Sequence, residues 1–157
     1  MSAPEIRIVS ERDLLDLTAL VAGFRDHLGV PSPTDAEIRE FLPQCLADPL
    51  IEFACAYRDG EPAGYAHTRY HTSLWSSGVA AHLEDLFVRE SARGSGLGRA
   101  LIDFAIGRAR ARGARFLSLQ TNENNAGGRR FYQRIGFEPM GEPLYGNGHE
   151  ISLVFRL

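Results

Sequence analysis

Arg93-Gly94-Ser95-Gly96-Leu97-Gly98 is a glycine-rich turn set between two segments of different periodicity. Ahead of it, residues 80–88 have the apolar character of a strand. Behind it, Leu101, Phe104, Ala105 and Ala109 recur at helical spacing through Arg112, and Gly113 is placed as a C-terminal cap. A glycine turn between strand and helix gathers backbone N–H groups at the helix N-terminus, where they lack intrahelical partners and carry the positive end of the dipole. Such a turn suits an anion, and glycine lets a phosphate approach closely. Two phosphate cradles do not fit. No Gly-Lys-Ser/Thr is present, which excludes a P-loop. The dinucleotide fingerprint needs glycine where Arg99 stands, and the next strand, ending Ser118-Leu119-Gln120-Thr121, closes without an acid.

Toward the N-terminus, residues 6–9 read as a strand and Ser10 as a helix N-cap. Leu14, Leu17, Leu20, Val21, Phe24 and Leu28 form the apolar stripe of a helix that Gly29 closes. A second helical stretch begins at Thr34 or Asp35 with Ile38, Phe41, Leu42 and Leu46, and Pro43 is expected to split it into two short pieces. Residues 51–57 and 63–71, joined by Asp59-Gly60, predict a hairpin. Toward the C-terminus come a strand at 116–121, a helix at 126–135 stopped by Gly136, the Asn147-Gly148 turn, and an alternating strand with Ile151, Leu153 and Phe155. The order β-α-α-β-β-β-α-β-α-β-β predicts an α/β (α+β) fold. No repeat or linker interrupts it, so residues 1–157 are read as one domain.

Composition agrees with that size: 157 residues, 44% of them hydrophobic and 24% charged, suffice for one core. No apolar run reaches the ~20 residues of a membrane-spanning helix, and Met1-Ser2-Ala3-Pro4-Glu5 lacks the features of a signal peptide. A cytoplasmic protein with no membrane partner is expected. Cys45 and Cys55 have no metal-ligand spacing and sit among apolar residues, as core thiols do. All 17 basic residues are arginine, and ten of them fall within residues 89–134 against three acids, a local balance of +7 in a chain of net charge −3. This polarity suits a polyanionic small ligand with a cationic co-substrate better than it suits nucleic acid.

The glycine turn and the residues after it resemble the GNAT N-acetyltransferase superfamily. Its pyrophosphate motif, Gln/Arg-x-x-Gly-x-Gly/Ala, matches Arg93, Gly96 and Gly98 in register. The family's Asn, Phe-Tyr and Gly-Phe are met by Asn125, Phe131-Tyr132 and Gly136-Phe137. The resemblance is strongest over residues 82–137. It implies a mixed, mostly antiparallel sheet of six to seven strands flanked by about four helices, and acetyl-CoA as co-substrate. The main-chain amides of Arg93, Gly94, Ser95, Gly96, Leu97, Gly98 and Arg99 would hold its diphosphate. In the family the preceding strand is bulged, and the pantetheine arm pairs with its exposed edge, here Leu86, Phe87 and Val88, in the manner of an added strand. A homodimer is expected on the same resemblance.

Acetyl transfer from a thioester to an amine needs a neutral amine, a place for the oxyanion and a proton donor for the thiolate. Tyr132 is the candidate donor by its match to the motif; a phenol of intrinsic pKa ~10 keeps its proton at neutral pH. Asn125 and Phe131 are assigned to the cofactor side, Asn125 serving also as N-cap of the helix that follows. Leu83-Glu84-Asp85-Leu86-Phe87-Val88 resembles the Leu-Glu-Asp-x-Phe-Val stretch of diamine acetyltransferases, whose glutamate helps deprotonate the amine through water. Glu84 takes that role, and Asp85, on the opposite face of the strand, is a substrate contact and the second candidate base. Tyr70 and Trp75 are expected to flank a cationic acceptor. His67, His71 and His82 read as hydrogen-bonded structural residues, with no metal site expected. Thr72-Ser73-Leu74-Trp75 lacks the acid that diamine relatives place before the tryptophan, which argues against a polyamine. No cysteine is expected to be placed to form an acyl-enzyme, so transfer should be direct. The expected function is acetylation of a primary amine on a small cationic metabolite. The alternatives are acetylation of a protein N-terminus or lysine, and a non-catalytic acyl-CoA-sensing module.

Overall fold

The computed structural model describes residues 3–140 and 150–157, so the expected Asn147-Gly148 turn lies outside the described residues. The elements run β1 (Glu5–Ile8), α1 (Leu14–Leu28), α2 (Asp35–Ala47), β2 (Ile51–Arg58), β3 (Glu61–Ser73), β4 (Gly78–Val88), α3 (Leu97–Ala111), β5 (Ala114–Asn122), α4 (Ala126–Ile135), β6 (Glu138–Pro139) and β7 (Glu150–Arg156). This is the order read from the sequence. The strands hydrogen-bond in the order β1-β2-β3-β4-β5-β7-β6. β1 is antiparallel to β2, β7 is antiparallel to both β5 and β6, and β4 runs parallel to β5. Among the described residues no helix is long and apolar enough to cross a membrane.

The chain divides into two compact units, Met1–Thr68 with Asp85–Ala105, and Arg69–Glu84 with Ile106–Leu157. In the first, α1 and α2 lay their apolar stripes on a core that includes Leu17, Leu20, Ile38, Leu42, Phe53, Tyr65 and Phe87. Ser10 caps a single turn of 3-10 helix ahead of α1, and the helix ends at Gly29, whose φ of 69° is left-handed. The Asp13 carboxylate, 1% exposed, is held by Arg7 at 2.8 Å, by the Ser10 amide at 3.0 Å and by the Tyr57 hydroxyl at 3.2 Å.

α2 corrects one expectation. It is a single helix with Pro43 inside it. Thr34 and Glu37 close a reciprocal capping box at its start, while Ile38 and Leu42 bury one face. Pro43 lies on the exposed face. The Arg39 carbonyl that loses its amide donor can therefore be hydrated, and the packed face carries the helix past the break.

In the second unit β5 lies between β4 and β7, with Ala81, Leu83, Leu117, Leu119 and Leu153 buried along these strands. The register of β4 against β5 shifts between Val79 and Ala81, the opposite end of β4 from Leu86, Phe87 and Val88. Asn125 caps α4, its Oδ1 accepting the Gly128 amide at 3.0 Å, and Gly136 (φ 119°) closes that helix.

Candidate active site

A single 3-10 turn, Glu90–Ala92, leads from β4 into the glycine loop, and α3 starts at Leu97. Gly94 and Gly96 adopt φ of 74° and 83°, which L side chains rarely reach, and a Cβ at either would meet nothing within 4 Å. Both glycines serve the path of the backbone, and the space over them is open. Ala100 N donates to Gly96 O at 3.0 Å. The amides of Leu97, Gly98 and Arg99 precede it, in the turn where a helix offers its N–H groups no internal acceptor. The Arg93 Nε donates to Val88 O at 3.0 Å and its Nη2 lies 3.4 Å from His27 Nδ1, so this guanidinium ties the loop to the end of β4. Arg99 Nε pairs with Asp103 at 3.0 Å. An open turn of amides at a helix N-terminus can hold an anion through the main chain alone.

β4 delivers Leu86, Phe87 and Val88 to this loop. Phe87 is buried, its ring centroid 5.4 Å from that of Phe24. Gly64 on β3 sits against the same segment: a Cβ there would lie 2.6 Å from Phe87 O.

The first unit also contains a cavity of about 410 Å³, whose walls come from α1 (Val21), α2 (Ile38, Phe41, Leu42), β2 (Phe53), β3 (His67) and β4 (Asp85). Asp85 Oδ2 accepts the Tyr65 hydroxyl at 3.2 Å and lies 3.3 Å from His67 Nδ1. The His67 ring stacks on Phe53 with centroids 4.2 Å apart, and its buried Nε2 has no hydrogen-bond partner among the described residues. Burial and the neighbouring Asp85 push the Tyr65 phenol far above its ordinary pKa, so it stays a donor to that carboxylate. The neighbouring acid is placed differently. Glu84 pairs with Arg69 Nε at 2.7 Å and does not line the cavity. Alternation along β4 separates the two carboxylates, as the strand geometry requires.

Two expectations meet a different arrangement. Tyr70 is 2% exposed with the Arg112 guanidinium 3.9 Å above its ring, so it is a packed residue. Trp75, in the turn between β3 and β4, is 96% exposed. Neither lines the cavity. Cys45 does line it, but burial and Asp48 raise its thiol pKa and leave it a poor nucleophile.

In the second unit Tyr132 packs edge-on against Phe131 and Phe137 at 5.2 Å and 5.7 Å, and burial pushes its phenol up to about 12. Asn125 Oδ1 is taken by the cap, and its Nδ2 lies 3.4 Å from Thr121 Oγ1. Sequence reasoning missed Tyr65 and the α2 wall, and gave His67 only a structural hydrogen bond. Only His67 carried a signal, a lone histidine on a strand, and that signal has no ligand pattern. Gly64 was legible in principle, because an isolated glycine inside a strand marks close approach of another backbone.

Fold and glycine loop together define a class. Residues 18–137 match the model of the Acetyltransferase (GNAT) family, and the chain belongs to that family. It is 36% identical over 90 residues to an uncharacterized N-acetyltransferase of Methanocaldococcus jannaschii, a match covering 55% of this chain and 38% of that protein. It is 30% identical over 120 residues to a D-amino-acid N-acetyltransferase of Saccharomyces cerevisiae, covering 74% of this chain and 71% of the relative. The chain thus spans well under half of the first of these relatives. In fold it is similar to the PaiA N-acetyltransferase of Thermoplasma acidophilum solved with coenzyme A, with a TM-score of 0.76 over 99% of this chain and 100% of that one, at 16% identity.

Proposed function

We propose that residues 1–157 act as one catalytic domain that transfers an acetyl group from acetyl-CoA to the primary amine of a small molecule. The observation that carries this reading is the loop at Gly94 and Gly96. Both take positive φ, space over them is open, and the first amides of α3 follow directly. The diphosphate would lie on these amides and the thioester arm along Leu86, Phe87 and Val88, as in the family the chain belongs to.

The acceptor enters the neighbouring cavity, where Asp85, fixed by Tyr65 and His67, meets the ammonium. Of the two adjacent acids, Asp85 is therefore assigned to the acceptor in place of Glu84. The ammonium passes one proton to Asp85 and on to water, the neutral nitrogen bonds to the acetyl carbon, and the carbon–sulfur bond breaks as the nitrogen releases its second proton to water. The thiolate takes a proton from Tyr132, assigned by its place in the motif, and Tyr132 is later reprotonated from water. The raised Cys45 thiol favours direct transfer over an acyl-enzyme. The reading extends to a cytoplasmic homodimer, as the family resemblance implies.

Calorimetric titration with CoA, run beside thiol release from acetyl-CoA over a panel of amines, tests the proposal. Binding with amine-dependent release supports it. Failure to bind CoA defeats it, binding without release for any amine turns the chain into a sensor, and release only with peptide amines moves the acceptor to proteins.

A further inference from the structure

The cavity beside β4 also constrains which amine enters. We infer that the acceptor is a monoamine whose amino group is carried on an apolar body, aliphatic or aromatic; the inference rests on the acceptor-cavity reading above. The roughly 410 Å³ of space is of the size that holds one small molecule. Its apolar walls include Val21, Ile38, Phe41, Leu42 and Phe53, broken on the strand side by His67 and Asp85.

Asp85 is prepared for a single cation. Its Oδ2 is occupied by Tyr65 and His67, which leaves Oδ1 without a hydrogen bond among the described residues. A second ammonium finds less. The Glu37 carboxylate lines the cavity from an exposed position; its Oε2 accepts Thr34 N at 2.7 Å and Thr34 Oγ1 at 3.0 Å, and water screens its other oxygen. Glu40 also lines the cavity, but on the exposed side of α2, where water screens it. A distal charge would thus lie against apolar walls without a buried partner, which disfavours the bound state. Phe41 points to the same occupant. It is 61% exposed, lines the cavity, and would be covered by an apolar ligand.

The test is kcat/KM for thiol release at saturating acetyl-CoA, across straight-chain primary amines from propylamine to hexylamine, phenethylamine, and putrescine, which matches pentylamine in length. Each added methylene should raise kcat/KM about fourfold until the cavity is filled. Putrescine should fall at least about tenfold below pentylamine. F41A, at an exposed position, should lower hexylamine and phenethylamine about tenfold and propylamine much less, with CoA affinity retained. Putrescine matching or exceeding pentylamine, a flat alkyl series, or F41A leaving the series unaltered overturns the inference while acetyl transfer itself stands. Absence of CoA binding defeats the acyltransferase reading and the inference with it.

Discussion

Replacement of Gly64 by alanine isolates the packing that positions the donor strand. The added Cβ would stand 2.6 Å from Phe87 O, 3.2 Å from Leu101 Cδ1 and 3.3 Å from Val88 Cα. The leucine methyl can rotate away, whereas the carbonyl and the Cα belong to the backbone. Restoring a 3.0 Å separation from the oxygen requires β3 and β4 to part by at least about 0.4 Å at Phe87. Overpacking of this kind costs about 1–3 kcal/mol, or roughly 2–12 °C in Tm for a chain of this length. The displaced residues are those along which the thioester arm is proposed to lie, so kcat/KM should fall with stability, by up to about a hundredfold. Thermal melts, CoA titration and steady-state kinetics of G64A read the three effects. A variant that melts and turns over as wild type would show that the close approach at Phe87 is not rigid, and the argument for a positioned edge would fail.

Gly96→Ala forces a side chain onto φ 83° and into the open space over the loop, so CoA affinity should drop at least about tenfold. Gly107→Ala, within α3 and with nothing within 4 Å of its Cβ, should instead stabilise the protein by about 0.5–1 kcal/mol and leave CoA binding intact. Tyr132→Phe should lower kcat about a hundredfold or more with little change in CoA affinity. Because burial disfavours the phenolate and moves its pKa to about 12, the wild-type rate should show no alkaline limb from this residue below about pH 11. Burial alone would raise the Asp13 pKa, but the Arg7 guanidinium and the Ser10 amide outweigh it and hold the carboxyl at about 2, against 3.8. A depressed folded value stabilises the native state above pH 3.8 and loses that contribution as pH falls through 2. Acid unfolding of the wild type should therefore include on the order of 2 kcal/mol that D13N does not show.

The donor half of the candidate site was legible in the sequence. Gly94, Gly96 and the first turn of α3 are contiguous, and their chemistry follows from backbone conformation and helix polarity, both local properties. The capping residues Ser10, Thr34 and Asn125 and the closing glycines Gly29 and Gly136 placed the element boundaries for the same reason. Pro43 misled because the rule for proline in a helix is local, while the burial of Ile38 and Leu42 that keeps α2 intact is tertiary.

The order of strands and helices and the glycine turn into α3 are encoded in neighbouring residues and in the periods of strand and helix. The proposed acceptor cavity is a product of packing. Its walls come from α1, α2, β2, β3 and β4, brought together from residues 21 to 85. No spacing along the chain reveals which of Glu84 and Asp85 faces a cavity, that Arg112 covers Tyr70, or that Trp75 stands in solvent. Those outcomes depend on which side of each strand another element comes to cover, and that is settled only when the chain has packed.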